Sequence, residues 1–195
     1  MVRVLMLVMA LVAAASVAAQ PVSQEERAKR SDEILKKMRQ MELANQILPL
    51  VMTKEQLKQI LPPIEKARAN VRDLQNEEFE TMRKFEERLD TAIKNATDKG
   101  QLPGQALLVE MNRLLMAFSL KRQAAASENV TTVLDVLNKT LNAGQLKAAA
   151  NSLDLKLFDP SVKPEELTET AKVRFYVGQV LLDPLAYDLL VKMSM

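Results

Sequence analysis

Two short segments of the sequence carry one arrangement of side chains. The first is Met52-Thr53-Lys54-Glu55-Gln56-Leu57 and the second is Leu141-Asn142-Ala143-Gly144-Gln145-Leu146. In each, a short polar residue (Thr53 or Asn142) is followed three positions on by a glutamine (Gln56 or Gln145). The chemistry this spacing permits is helix capping. The short side chain accepts from the backbone N–H of the glutamine, and the glutamine side chain reaches back to the N–H of the capping residue. Two donors that lack intrahelical partners are thereby satisfied. An apolar residue precedes each cap and another fills the fourth helical position, Met52 with Leu57 and Leu141 with Leu146. That is the pattern of a hydrophobic staple, which sets the angle at which the chain enters the helix.

Other chemistry has little to stand on. The 195 residues include no His, no Cys and no Trp. Cys/His zinc sites, thiol and Ser-His catalysis, His-ligated haem and a disulfide framework are excluded. The sequence has no Gly-rich phosphate loop and no nucleophile elbow. The acidic runs Glu77-Glu78-Phe79-Glu80 and Glu86-Glu87-Arg88 lie among Arg83, Lys84 and Arg88 at helical spacing. They read as a solvated, ion-paired face rather than as metal ligands. No catalytic residue, cofactor or metal is assigned, and the chain is expected to bind rather than to act as an enzyme.

The elements that must hold the two caps are helices. Apolar residues make up 48% and charged residues 27%, with 4 Gly and 4% aromatics, a composition that predicts an all-α fold. A capping box at Ser23-Gln24-Glu25-Glu26 opens a first amphipathic helix that should end before Pro49. Apolar residues then recur at Ile64, Ala67, Val71, Leu74, Phe79, Met82, Phe85, Leu89, Ile93 and Ala96, with one irregular step between Leu74 and Phe79. This predicts a helix over 64–99, preceded by an interruption at Pro62-Pro63 and closed by a C′ glycine at Gly100. Leu107, Met111, Leu114, Phe118, Ala125, Val133, Leu137 and Leu141 form a second stripe, crossed by Arg122 and Asn129. It predicts a helix over 105–140 whose weakest point is Ser127-Glu128-Asn129. Each helix would be about 54 Å long, and the Gly/Pro loop between them makes an antiparallel hairpin. Met38, Met41, Met82, Met111 and Met116 are expected in the core, with Phe79, Phe85 and Phe118 in the hairpin seam. A shorter helical pair follows in the acidic segment 158–195.

Residues 1–19 read as a cleaved signal peptide: Arg3, then an apolar stretch from Val4 to Ala15, then small residues. The expected division is therefore 1–19 signal peptide, 20–157 helical domain and 158–195 C-terminal extension, with a periplasmic or secreted location. Losing Arg3 leaves the mature chain close to neutral, which gives no support for a nucleic-acid partner. No later apolar run approaches the ~20 residues of a membrane span, so no stable membrane insertion is expected after cleavage.

A signal peptide, an all-helical chain and two L-T-x-x-Q-like motifs bracketing a hairpin resemble the Spy/CpxP family of periplasmic proteins, over about residues 25–155. Met52 replaces Leu in the first motif and Asn142 replaces Thr in the second; both keep the capping and stapling physics. The resemblance implies a curved, cradle-like homodimer that holds unfolded or aggregation-prone polypeptides without ATP. Its relatives include envelope-stress regulators and metal-resistance proteins. This chain departs from it in its near-neutral charge and in the segment from Phe158 onward. The expected function is a chaperone-like binding protein for unfolded or envelope proteins, or an envelope-stress modulator. The alternatives are a metal-responsive sensor or resistance protein of the same family and a structural adaptor for one envelope partner.

Overall fold

The computed structural model describes residues 23–158 and 160–195, so the expected signal peptide lies outside the described residues. These residues form helices and no strand, the all-α architecture that the composition predicts. The helices are α1 (Gln24–Ile47), α2 (Lys54–Lys99), α3 (Gln105–Thr140), α4 (Ala143–Asn151), α5 (Glu169–Tyr176) and α6 (Ala186–Ser194). Short 3-10 turns cover Leu48–Leu50, Leu155–Leu157 and Pro164–Glu166, and a π-helical turn covers Val177–Leu181. The chain divides into two units, one ending at Arg39 and one running from Gln40 to Met195. In the first, the described residues are the charged start of α1, where Ser23 Oγ accepts from the Glu26 N–H at 3.1 Å.

The second unit is built on an antiparallel α2–α3 hairpin. Helix α2 is longer than predicted, because it begins at the Thr53 cap and continues through Pro62 and Pro63. Two prolines inside a helix remove two N–H donors and cost on the order of 3 kcal/mol each. They are tolerated because Leu57, Ile60 and Ile64, on either side, are fully buried. The carbonyls they leave without donors belong to Lys58 and Gln59, which are exposed and can be hydrated. The helix ends at Gly100, whose φ of 63° is the left-handed conformation of a helix stop, with its N–H on the Ala96 carbonyl at 3.1 Å. Helix α3 runs unbroken through Ser127-Glu128-Asn129.

The α3 stripe lies against α2 as expected, with Phe118, Asn129, Val133 and Leu137 buried along it. On α2 the seam differs at Val71, which is exposed, and again beyond Leu74, where Phe79, Met82 and Ile93 are exposed rather than enclosed. The irregular step in the apolar pattern marks where it leaves the seam. A regular step of four from Leu74 arrives at Glu78, which is only 4% exposed. Met38, Met41 and Met116 are likewise exposed, and Phe118 alone of the three named phenylalanines is fully enclosed.

The core sits at the base of the hairpin, where both ends of the α2–α3 pair meet the rest of the unit. Leu43 and Ile47 from α1, Leu57, Ile60 and Ile64 from α2, and Val133 and Leu137 from α3 share it with Ala149 and Ala150 of α4. The C-terminal segment supplies Val173, Tyr176, Val177, Val180, Leu181, Ala186 and Leu190 to the same cluster. Helix α6 lies along α2 from Arg68, stacked 4.1 Å from the Tyr187 ring, to Lys54, whose Nζ donates to the Met195 carbonyl. Arg174 of α5 donates to the Thr131 hydroxyl at 3.1 Å and the Ser127 hydroxyl at 3.1 Å, fixing the segment to α3.

Candidate functional site: a glutamine clasp and a two-sided blade

Both predicted caps form. Thr53 Oγ1 accepts from the Gln56 N–H at 3.2 Å, and Gln56 Oε1 accepts from the Thr53 N–H at 2.9 Å. Asn142 Oδ1 accepts from the Gln145 N–H at 2.9 Å, and Gln145 Oε1 accepts from the Asn142 N–H at 3.0 Å. The staple residues join the base core: Leu57 and Leu141 are buried in it, and Met52 and Leu146 pack against it.

The fold also brings the two motifs together. Gln56 Nε2 donates to Gln145 Oε1 at 2.9 Å, and Gln145 Nε2 donates to Gln56 Oε1 at 3.0 Å. Each amide spends its other donor on the chain leading to the opposite cap. Gln56 Nε2 reaches the Thr140 carbonyl at 3.0 Å, and Gln145 Nε2 reaches the Leu50 carbonyl at 3.0 Å. Each glutamine oxygen therefore accepts two bonds and each nitrogen donates two, which saturates both amides. The motif residues are thus a structural clasp at the base of the blade, occupied entirely by each other and by backbone.

Above the base the hairpin has two unlike sides. Positions 77 and 88 of α2 and 110 and 121 of α3 fall on one flank by helical periodicity. There Glu77 pairs with Lys121, and Arg88 pairs with Glu110 at 2.6 Å. Arg88 also lies 5.0 Å from the Phe85 ring centroid. The Arg88 guanidinium beside Glu110 holds that carboxyl below the usual range.

The opposite flank of α2 carries Val71, Gln75, Phe79, Met82 and Ile93, and that of α3 carries Leu108, Leu115, Ala126 and Val130. The two flanks face one side, because Val71 and Gln75 line one groove with Ala126 and Val130. Phe79 is 59% exposed, Ile93 61%, and Leu108 and Leu115 are exposed beside them. Among the described residues of the blade, one side carries the Glu77–Lys121 and Arg88–Glu110 pairs, and the other carries the exposed apolar residues, with Glu86 and Asp90 between Met82 and Ile93.

Two polar pairs lock the seam between these sides. Arg122 donates through Nε to Glu78 Oε1 at 2.7 Å and through Nη2 to Glu78 Oε2, a two-point fork. The fork, more than the desolvation that opposes it, lowers the Glu78 pKa. Asn70 Nδ2 donates to Asn129 Oδ1 at 3.0 Å, and Asn129 Nδ2 donates to the Ala67 carbonyl at 3.3 Å. Arg122 and Asn129 are the two residues that cross the α3 stripe in the sequence. Of their partners on α2, Glu78 was hidden in a run of amide and acidic residues, and Asn70 among alanines and arginines. The irregular step before Phe79 is the signal that would have found Glu78.

Among the described residues there is no group of three or more acidic side chains that could hold a metal ion, and no helix is long and apolar enough to cross a membrane. No family model, curated protein or solved structure matches the chain.

Proposed function

We propose that this protein is an exported, ATP-independent binding protein of the Spy/CpxP type, which holds unfolded or aggregation-prone polypeptides on the apolar side of its blade. The observation that carries the reading is the contrast between the two sides of the hairpin. Phe79, Met82, Ile93, Leu108 and Leu115 present apolar area to solvent while the opposite side is neutralised by ion pairs. Several large apolar side chains exposed on one side of a hairpin favour an interaction surface. Met82, together with Met116 on the back of α3, offers polarizable side chains that repack around irregular partners. The duplicated cap motif supports the family reading, and the clasp gives it a physical role: it fixes the base from which the blade projects.

The test is aggregation of a chemically denatured client diluted into buffer without nucleotide. The mature protein should suppress light scattering at near-stoichiometric ratios. A triple Phe79→Ser, Met82→Ser, Leu115→Ser variant should fold normally and lose most of that activity. Suppression that survives the triple change, or none with several unrelated clients, would refute the assignment.

A further inference from the structure

Where the apolar side of the blade meets the C-terminal segment, it deepens into a groove of about 570 Å3. That volume falls in the range of small-ligand sites. Val71 on α2, Ala126 and Val130 on α3, and Leu182 and Pro184 after the π-helical turn give it apolar walls. The α2 wall, from Ala67 to Gln75, runs about 12 Å.

The charge on this wall is unbalanced. Arg68 and Arg72 both line the groove, and both bind one carboxylate, that of Glu65, at 3.1 and 2.8 Å. Two guanidiniums share a single anion, and together they hold the Glu65 carboxyl below its usual range. A guanidinium has five N–H donors, and the bond to Glu65 takes one from the half-exposed Arg72. Asp183, in the turn beyond Leu182, directs Oδ1 to the Leu185 N–H at 2.9 Å. Asn129, the buried polar side chain on the groove, is engaged at both ends of its amide by Asn70 and the Ala67 carbonyl.

We propose that this groove binds a medium-chain alkyl carboxylate, with the chain along Val71, Ala126, Val130 and Leu182 and the carboxylate on Arg72 and Arg68. This is a ligand class separate from polypeptide clients. An apolar body is matched to the walls, and a second anion completes the pairing that Glu65 leaves half made. A planar carboxylate suits the guanidinium fork geometrically as well as in charge.

Calorimetric titration of the full chain with octanoate, decanoate and dodecanoate below their micellar concentrations tests it. One ligand should bind per chain, with affinity rising by up to about fourfold for each methylene added. Decanol and decyltrimethylammonium should bind at least about tenfold more weakly than decanoate. Arg72→Gln should weaken decanoate by about tenfold, and Ala126→Phe should abolish binding by filling the groove. In case Ala126→Phe disturbs the fold, a decanoate bearing a photoreactive diazirine locates the site in the unaltered protein. Its adducts should fall on residues 67–75, 126–130 and 178–184. No saturable binding, equal affinity for the ammonium amphiphile, or adducts confined to residues 79–115 would overturn the proposal.

Discussion

Replacing Gln56 by Ala isolates the energetic role of the clasp. The side chain accepts from the Thr53 N–H and from Gln145 Nε2, and donates to Gln145 Oε1 and the Thr140 carbonyl. Four neutral hydrogen bonds at about 1 kcal/mol each set an upper figure near 4 kcal/mol. The surviving partner reduces this, because Gln145 keeps its bonds to the Leu50 carbonyl and the Asn142 N–H. The expected loss is about 2–3 kcal/mol, or roughly 5–10 °C in Tm for a chain of this size. Urea unfolding followed by far-UV circular dichroism reads it directly as a shift in midpoint at constant slope. Gln56→Glu separates the two functions of the residue. A carboxylate still accepts from the Thr53 N–H and suits the helix N-terminus, but it cannot donate to Thr140 or Gln145. It should therefore keep the cap and lose the clasp, falling between the native protein and Gln56→Ala. In the double variant with Gln145→Ala, the losses should be sub-additive by about 1 kcal/mol or more. A loss of less than about 0.5 kcal/mol, or strict additivity, would show that the two caps act independently and that the clasp reasoning is wrong.

The other expectations concern the seam, the blade and the hairpin turn. Arginines lower the pKa values of Glu78 and Glu110, so these pairs contribute fully above the ordinary carboxylate range. That contribution should decline as pH falls through this range and vanish below the lowered native values, and Glu78→Gln should flatten the acid limb of unfolding midpoint against pH. Leu137→Ala, at a fully buried base position, should cost about 2–5 kcal/mol, whereas Phe79→Ser on the blade should stay within about 0.5 kcal/mol. Gly100→Ala should cost about 1 kcal/mol from the left-handed backbone alone, since nothing lies within 4 Å of the added Cβ.

The helix ends were largely legible in the sequence because their signals are local. Each cap, each staple and the Gly100 stop can be read within six residues, and each stands where expected. The meeting of Gln56 with Gln145 was not legible, since nothing in either motif indicates that the other lies within hydrogen-bond reach. The α3 stripe could be read directly because apolar residues occupy nearly all of its seam. The α2 stripe was misread past Leu74 because apolar character was equated with burial. In an isolated helical pair the seam can take Glu78 if an arginine forks onto it, which frees Phe79 and Met82 to face outward. Pro62-Pro63 misled for a related reason: propensity predicted a break, and burial of Leu57, Ile60 and Ile64 outweighed it.

The exposed apolar side follows from the number of layers available. Two packed helices enclose only the seam between them, and burying a flank requires a third element laid across it. At the base that element exists: α6 lies along α2 between Lys54 and Arg68, and the π-helical turn reaches α3 at Val130. The cover stops at the groove, while α2 continues for more than twenty residues to Lys99 and α3 returns over the same length. Among the described residues of this unit, no third element lies across the flanks beyond that limit, so apolar side chains there stay exposed unless they point into the seam. Were the blade only a spacer, the ion-paired chemistry of the Glu77–Lys121 side would serve equally well on both sides and would lower the risk of aggregation. On the proposed reading, the side bearing Phe79, Met82 and Leu115 is where a polypeptide client would rest.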